Sequence, residues 1–190
     1  IRSFLYGKFW GDFISYMNQK VFKKRWQQKA AIIHFMLDND ICWDKVDYET
    51  LKKIDHQRMI HVLGSAGGGR DTERRPKLGR LAGEKADIVI VTNEDPYDED
   101  PKKIMEQVAE GTKEYNKTEG EGLHIIPDRR EAIKKAIDLA QHNDLVLVTG
   151  KGSEQGICVS EGRMLPWDDR KVAREEIRER LRHLDEESKK

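Results

Sequence analysis

Residues 62–76 of this sequence, VLGSAGGGRDTERRP, place a glycine-rich turn directly before an arginine and an aspartate. Four glycines between Gly64 and Gly69 let the backbone approach a ligand closely, because glycine carries no Cβ atom. Arg70 offers a planar guanidinium that binds a carboxylate or a phosphate through two parallel hydrogen bonds. The turn therefore predicts an anion-binding position at the end of a strand.

Neither common phosphate-binding template fits this turn. Gly64 and Gly69 have the spacing of a GxxxxGK[ST] loop. Arg70 and Asp71, however, replace the lysine that reaches the β- and γ-phosphates and the hydroxyl that ligates Mg²⁺. A GxGxxG fingerprint would require a glycine where Ala66 stands. A purely conformational role for the glycines stays open on this reasoning.

Two further turns follow apolar, β-branched segments that predict strands. Residues 87–92 (DIVIVT) lead into the acidic turn 92–101, and residues 144–150 (DLVLVTG) lead into the turn 149–156. Helical segments alternate with these strands from residue 59 onward. This order predicts an α/β fold, a Rossmann-like and mostly parallel sheet with helices on both faces. Because ligands bind at the carboxyl ends of such strands, we expect these two turns to meet the turn 64–71.

Capping residues predict where the helices begin and end. Asp100 with Pro101 after it, and Asp128 with an acidic residue three positions later, are typical of helix starts. Gly111 is expected to end the first of these helices. Asp168 opens a last, strongly charged helix that runs to the C-terminus.

Residues 1–45 have a different character. Their basic residues far outnumber the acidic ones up to residue 30, and their apolar residues follow helical spacing. That spacing is carried by Phe13, Met17, Val21, Trp26, Ala30, Ile33 and Leu37. It predicts a basic amphipathic helix that packs its apolar stripe on the core or on a partner, with membrane-surface binding as the alternative. We therefore divide the chain into an unmatched basic helical segment, 1–45, and an α/β domain, 46–190.

Composition excludes several classes of protein. The 190 residues contain 35 basic and 35 acidic side chains, so nothing overall indicates a nucleic-acid partner. No apolar run approaches the roughly 20 residues of a membrane span, and no signal peptide is visible. The cysteines, Cys42 and Cys158, lie far apart without a Cys/His cluster, so no metal site is predicted and a reducing cytoplasm fits best.

Four segments in order resemble motifs of the Mur ligase family, in particular of its E-type, the UDP-N-acetylmuramoyl-tripeptide synthetases. VLGSAGGGRDTERRP is similar to FGxGGxRDxxKRP, and DIVIVTNEDPYDEDP to DIVIVTsDNPRxEDP. The stretch from DRREAI to VTGKGSEQ is similar to DRxxAIxxAIxxAxxxDxVLxAGKGHE, and WDDRKVA to FDDrEVa. Together they cover residues 48–184 and identify the C-terminal domain of a three-domain ligase.

The resemblance implies a function in peptidoglycan precursor synthesis. Such ligases activate the carboxylate of UDP-MurNAc-L-Ala-D-Glu with ATP and Mg²⁺, and the amine of L-lysine or meso-diaminopimelate then attacks. The C-terminal domain holds the diamino acid, whereas a central domain with the ATP loop binds most of the ATP and Mg²⁺. That loop does not occur in this sequence, so we assign no catalytic residue here and expect the isolated chain to be inactive.

The resemblance also implies individual site residues. Arg70 matches an arginine that binds the carboxylate of the incoming amino acid. Gly150 and Glu154 match the first and last residues of GKGHE, which grip the distal end of the diamino acid, and Glu154 would be the counter-ion of its ammonium. Lys151 and Asp71 match positions to which we assign a structural or orienting role.

Three departures from the family pattern bear on the substrate. The DNPR motif reads Glu94, Asp95, Pro96 and Tyr97, so the arginine that pairs with the second carboxylate of meso-diaminopimelate is a tyrosine. Glu94, Asp95 and Glu154 would suit a ligand that has an ammonium but no second carboxylate, so the tyrosine at position 97 favours L-lysine over meso-diaminopimelate. The histidine of GKGHE is Ser153, and Asp47 is the candidate for an aspartate that helps to hold the nucleotide.

Two other interpretations stay open. The chain could be a degenerate, non-catalytic Mur-like binding module, which the missing ATP loop favours. It could also be a generic doubly wound nucleotide-binding domain, against which the two failed glycine templates count.

Overall fold

Apolar segments rich in β-branched residues form the central strands of the structure. In the computed structural model, the described residues are 31–34, 48–51, 54–69, 72–151 and 154–187. Six strands within these ranges form one sheet in which every adjacent pair runs parallel. They are β1 (Ala31–His34), β2 (Met59–Leu63), β3 (Ile88–Thr92), β4 (Thr118–Glu119), β5 (Gly122–Ile126) and β6 (Leu145–Val148). The strand order is β1-β6-β2-β3-β5-β4, so β2 lies at the centre between β6 and β3.

Helices connect these strands, and a small hairpin follows the last of them. The helices are α1 (Tyr48–Leu51), α2 (Arg74–Lys85), α3 (Pro101–Thr112), α4 (Arg129–Leu139) and α5 (Asp169–Glu187). The hairpin consists of β7 (Gly156–Cys158) and β8 (Met164–Pro166), which pair antiparallel.

The central strands β2, β3 and β6 bury side chains on both faces, as parallel strands between two helical layers do. Met59 and Leu63 of β2 pack with α2 and α3 residues such as Leu78 and Met105. Ile60 and Val62 alternate with them along the strand, lie on the opposite face of the sheet and belong to a second core. That second core contains residues of α4 and α5, among them Ile133, Ile137, Val172 and Ile177. The predicted α/β sheet with helices on both faces is confirmed.

The predicted helix starts are also confirmed. The Asp100 carboxylate accepts a hydrogen bond from the Lys102 amide, and the Asp128 carboxylate accepts one from the Glu131 amide. The predicted stop at Gly111 is wrong, because α3 continues through it to Thr112. Gly111 is instead a contact point between helices: a Cβ atom there would lie 2.0 Å from the Pro76 carbonyl oxygen of α2.

The prediction of an amphipathic helix is wrong at residues 31–34, which form β1 beside β6. Apolar spacing in a short window does not separate a helix from a buried strand, and the isoleucines at 32 and 33 favour extended backbone. The exposed edge of β6 supplies the hydrogen-bonding partners that decide the outcome. The rest of the predicted helix lies outside the described residues. The boundary at residue 45 stays a prediction, although β1 belongs to the same sheet as the strands beyond it.

Candidate functional site

The three turns predicted to meet do converge at the carboxyl ends of β2, β3 and β6. The Gly67 amide donates a hydrogen bond of 2.6 Å to the Asp95 carbonyl oxygen. A Cβ atom on Gly64 would lie 2.8 Å from the carbonyl oxygen of Thr92, and one on Gly150 would lie 2.6 Å from the Glu94 carboxylate. Glycine is therefore required where the turns approach one another, as well as where the chain reverses.

The glycine turn already holds an anion, and that anion comes from the chain itself. Gly68 and Gly69 have left-handed backbone, with φ of +80° and +69°. The Gly69 amide donates to the Glu99 carboxylate at 2.5 Å, and Arg75 donates to the same carboxylate at 3.1 Å. The Gly69 hydrogen bond, followed by the bond and charge of Arg75, lowers the pKa of Glu99.

Arg75 connects this turn to the helical layer. Its guanidinium is buried, 1% exposed, and donates to the Gln107 side chain at 2.7 Å and to the Ala66 carbonyl oxygen at 3.3 Å. Glu99 supplies its counter-charge. Arg75 thus connects the glycine turn, through Ala66, to Gln107 of α3. Arg70, Asp71, Ser153 and Asp47 lie outside the described residues, so their assigned roles stay predictions.

A buried ammonium joins the other two turns. Lys151 donates to Asp95 at 2.6 Å and to Glu154 at 2.5 Å. The second oxygen of Asp95 accepts a hydrogen bond of 2.7 Å from the Cys158 amide of β7. Burial alone would lower the pKa of Lys151, but the bonds and charges of Asp95 and Glu154 outweigh it and raise the pKa. Lys151 thus stays charged. Its structural or orienting role stays a prediction.

Tyr97 lies between the glycine turn and the hairpin. Its backbone has a φ of +52°, an uncommon conformation for an aromatic residue. Its amide donates to the Cys158 carbonyl oxygen at 3.2 Å, and its ring passes 3.5 Å from the position of a Cβ on Gly68. The side chain is 37% exposed. Strained backbone of this kind concentrates at functional sites, which supports the choice of Tyr97 as a site residue.

Glu94 is the buried titratable group of the site. Burial raises its pKa to about 7, although Arg129 opposes the rise. The neighbouring Asp95 adds to the rise, whereas Lys151 and Arg74 counter it. Glu94 therefore exchanges its proton near neutral pH, a property that is frequent in functional sites.

Sequence reasoning missed several polar residues beneath the site. Arg129 and Asp169 form a buried ion pair at 2.6 Å, and Arg75 pairs with Glu99 at 2.9 Å. In the centre of the sheet, His61 hydrogen-bonds Tyr48 at 2.9 Å and Thr149 at 3.0 Å. Burial lowers the pKa of His61 to about 3, so the ring is neutral. The charged pairs all lie within recognised motifs, but a single sequence does not reveal which motif residue meets which.

The described residues show neither a metal-binding cluster nor a membrane-spanning helix. No group of three or more histidine, cysteine, aspartate or glutamate side chains among them is arranged to hold a metal ion. No helix in the same ranges has the length and apolar character to cross a bilayer.

Comparison with known proteins gives consistent matches. The family described as "Mur ligase, glutamate ligase domain" matches residues 47–152. The chain is 47% identical to a UDP-N-acetylmuramyl-tripeptide synthetase of Treponema denticola over 62% of this chain and 21% of that protein. It is 40% identical to a UDP-N-acetylmuramoyl-L-alanyl-D-glutamate--2,6-diaminopimelate ligase of Aquifex aeolicus over 66% of this chain and 25% of that protein.

A solved structure agrees with these relatives. It is described as a UDP-N-acetylmuramoyl-L-alanyl-D-glutamate--2,6-diaminopimelate ligase, and it superposes on this chain with a TM-score of 0.66 at 30% identity. The match covers 79% of this chain and 29% of that structure. This chain therefore spans about a quarter of the length of the curated relatives it matches.

Proposed function

Because the chain belongs to the Mur ligase family through its glutamate ligase domain, we propose that it is the amino-acid-binding, C-terminal domain of a diamino-acid-adding ligase. The complete enzyme would join L-lysine or meso-diaminopimelate to UDP-MurNAc-L-Ala-D-Glu with ATP, in the cytoplasm, as a step of peptidoglycan precursor synthesis. The names of the relatives support this reaction class. The Aquifex relative's name specifies diaminopimelate, whereas the Treponema relative's name specifies no amino acid.

The pair of carboxylates beside Lys151 is the observation that carries the choice of ligand. Two carboxylates, Asp95 and Glu154, lie against this single ammonium. The Glu154 side chain is 35% exposed, so a ligand can reach it. An ammonium of the ligand would be attracted to this carboxylate, which is the role that the family motif implies for Glu154.

Tyr97 sharpens the choice between the two diamino acids. The family's arginine at this position would pair with a second carboxylate, and a phenol does not replace that charge. A buried carboxylate without a partner costs several kcal/mol. L-lysine has no second carboxylate and avoids this cost, so we propose L-lysine, or a similar basic amino acid, over meso-diaminopimelate.

ATP and Mg²⁺ enter the proposal through the complete enzyme. The residues of this chain do not fit a phosphate loop of the GxxxxGK[ST] type, and the glycine turn is filled by Glu99. We therefore propose that residues outside this chain hold most of the ATP and the metal ion. The 190-residue chain alone is expected to show no ATP turnover with UDP-MurNAc-dipeptide.

Kinetics of the full-length protein test the proposal. We would compare kcat/KM for L-lysine and meso-diaminopimelate in the wild type, in Tyr97→Arg and in Tyr97→Phe, which keeps the ring without adding a cation. We expect Tyr97→Arg to improve the use of diaminopimelate, and Tyr97→Phe to leave the ratio unchanged. Arg70→Ala should weaken amino-acid binding by roughly 2–4 kcal/mol through the loss of a charge pair.

Two results would contradict parts of this proposal. A tenfold or larger preference of the wild type for diaminopimelate would refute the interpretation of Tyr97 and require another residue as the second cation. A full-length protein that binds UDP-MurNAc-dipeptide and ATP but joins neither amino acid would be a non-catalytic Mur-like module.

A further inference from the structure

Arg129 lies beneath the site and contacts two of its turns, the one after β3 and the one after β6. It is the first residue of α4, and 3% of it is exposed. Its Nη2 donates to the Thr149 carbonyl oxygen at 2.8 Å, and its Nη1 donates to the Asn93 carbonyl oxygen at 3.2 Å. These carbonyl groups directly precede Gly150 and Glu94 in the chain. One guanidinium therefore links the backbone at the ends of β3 and β6.

The remaining contacts of Arg129 hold the guanidinium in place. Nε and Nη2 donate to the two oxygens of Asp169, at 2.8 and 2.6 Å. The Trp167 indole donates to the same carboxylate at 2.7 Å. Asp169 is fully buried at the start of α5. The planar fork of arginine matches a carboxylate in two places, so this pair fixes both the position and the plane of the guanidinium.

A lysine would not make the same contacts. Its single nitrogen does not reach the two backbone carbonyl groups and both carboxylate oxygens together. The guanidinium also passes close to the site itself: a Cβ atom on Gly150 would lie 3.4 Å from Nη2 and 2.6 Å from the Glu94 carboxylate. The hydrogen bonds of Arg129 therefore fix the backbone next to Glu94 and next to Gly150, where these two residues approach each other.

We propose that Arg129, held by Asp169 and Trp167, is a positioning residue that sets the mutual geometry of Glu94 and Gly150 for the incoming diamino acid. The effect of Arg129 on amino-acid binding rests on the proposed function. Its effect on the geometry of Glu94 and Gly150 does not. This role also connects the DRREAI and WDDR segments, because Arg129 of the first and Asp169 of the second form one buried ion pair.

The pKa of Glu94 distinguishes a positioning role from a purely structural one. If Arg129 only held α4 against the sheet, its substitution would leave this pKa unchanged. The charged groups that act on it are Arg129, Asp95, Lys151 and Arg74, which come from α4, from the turns after β3 and β6, and from α2. Asp169 of α5 pairs with Arg129 from the far side. A shift of the guanidinium away from Glu94 removes a favourable charge, so the pKa of Glu94 should rise above about 7.

Two measurements on Arg129→Lys test the proposal. The first is a carbon-detected NMR titration of the Glu94 carboxyl group in the 190-residue chain. The second is KM and kcat for the amino acid in the full-length protein. We expect the Glu94 titration to move to higher pH and KM to rise about tenfold, with kcat changed much less, because a misplaced binding group weakens binding before chemistry.

Arg130→Lys is the matched control, since Arg130 is the next residue of α4 and pairs with Glu175 and Glu176 at 41% exposure. It should change neither readout. Trp167→Phe is the second variant, for the case that Arg129→Lys does not fold, because it removes only the indole donor to Asp169. It should raise the pKa of Glu94 and the KM for the amino acid by smaller amounts.

An unchanged Glu94 titration in a folded Arg129 or Trp167 variant overturns the proposal, as does an equal effect in Arg130→Lys. The NMR result does not depend on ligase activity, so a failure of the proposed function is distinguishable from a failure of this inference.

Discussion

The Glu99 carboxylate accepts a hydrogen bond from the Gly69 amide at 2.5 Å, so the glycine turn binds an anion supplied by its own chain. The same carboxylate neutralises the buried Arg75, which is hydrogen-bonded to Gln107 of α3. An arginine from the first glycine-containing motif thus meets a glutamate from the acidic motif. The turn that precedes Arg70 in the chain is therefore anchored to α3.

Glu99→Gln should destabilise the protein at neutral pH, because it removes the counter-charge of a buried guanidinium while keeping an oxygen near Gly69. The folded-state pKa of Glu99 is lowered from 4.5. The stabilisation is therefore fully present above about pH 4.5 and is lost as the pH falls through the folded value. Urea midpoints of wild type and variant should differ at pH 7 and converge in acid. Glu110→Gln, on the exposed face of α3, is the control and should show no such pattern.

Glu94→Gln should have the opposite pH dependence. The folded pKa of Glu94 is raised from 4.5 to about 7, so the folded state holds its proton more tightly than the unfolded state. The contribution of Glu94 to the stability of the wild type should therefore fall as the pH rises from 4.5 to 7, by about 3 kcal/mol. Glutamine does not ionise, and the variant should lose this slope and exceed the wild type in stability at pH 8. A wild-type slope retained by the variant would refute the assignment, and Glu106→Gln on the surface serves as control.

Gly150→Ala should weaken amino-acid binding and destabilise the fold by roughly 1–3 kcal/mol. Its φ is +115°, and the new methyl group would lie 2.6 Å from the Glu94 carboxylate. Gly120→Ala is the matched control, since Gly120 has a φ of +86° with nothing within 4 Å. Thermal melting of both variants separates the conformational cost, which they share, from the contact with Glu94. Equal losses in the two variants would show that this contact is unimportant.

Gly79→Ala should destabilise the protein by at least about 2 kcal/mol, because the added methyl group would lie 1.7 Å from the Val108 carbonyl oxygen and would push α2 from α3. In an exposed helix the same substitution stabilises by about 1 kcal/mol. Gly83→Ala, where the nearest atoms lie 3.1 Å away, should cost less. Urea denaturation provides the ranking, and a stabilised Gly79→Ala would contradict the close packing of these helices.

The alternation of strands and helices and the residues that begin α3 and α4 could be read from the sequence, because these features depend on near neighbours in the chain. Asp100 and Asp128 cap their helices through amides two and three residues away, so their role is local. The convergence of the three turns was also predictable, since parallel strands must place their carboxyl ends at one edge. The family motifs added the expectation of which side chains at that edge bind the amino acid.

Only the tertiary structure decided which distant charges meet. Arg129 is forty positions from Asp169 and Lys151 is fifty-six from Asp95, and many other acidic residues could have served as partners. Gly111 looked like a helix end, but it is a packing residue, because the need for a small side chain arises from α2 and not from its own helix. Residues 31–34 likewise became a strand because β6 offered an unpaired edge. Local preference sets which elements are possible, whereas burial of charge and the pairing of backbone groups select the partners that satisfy them.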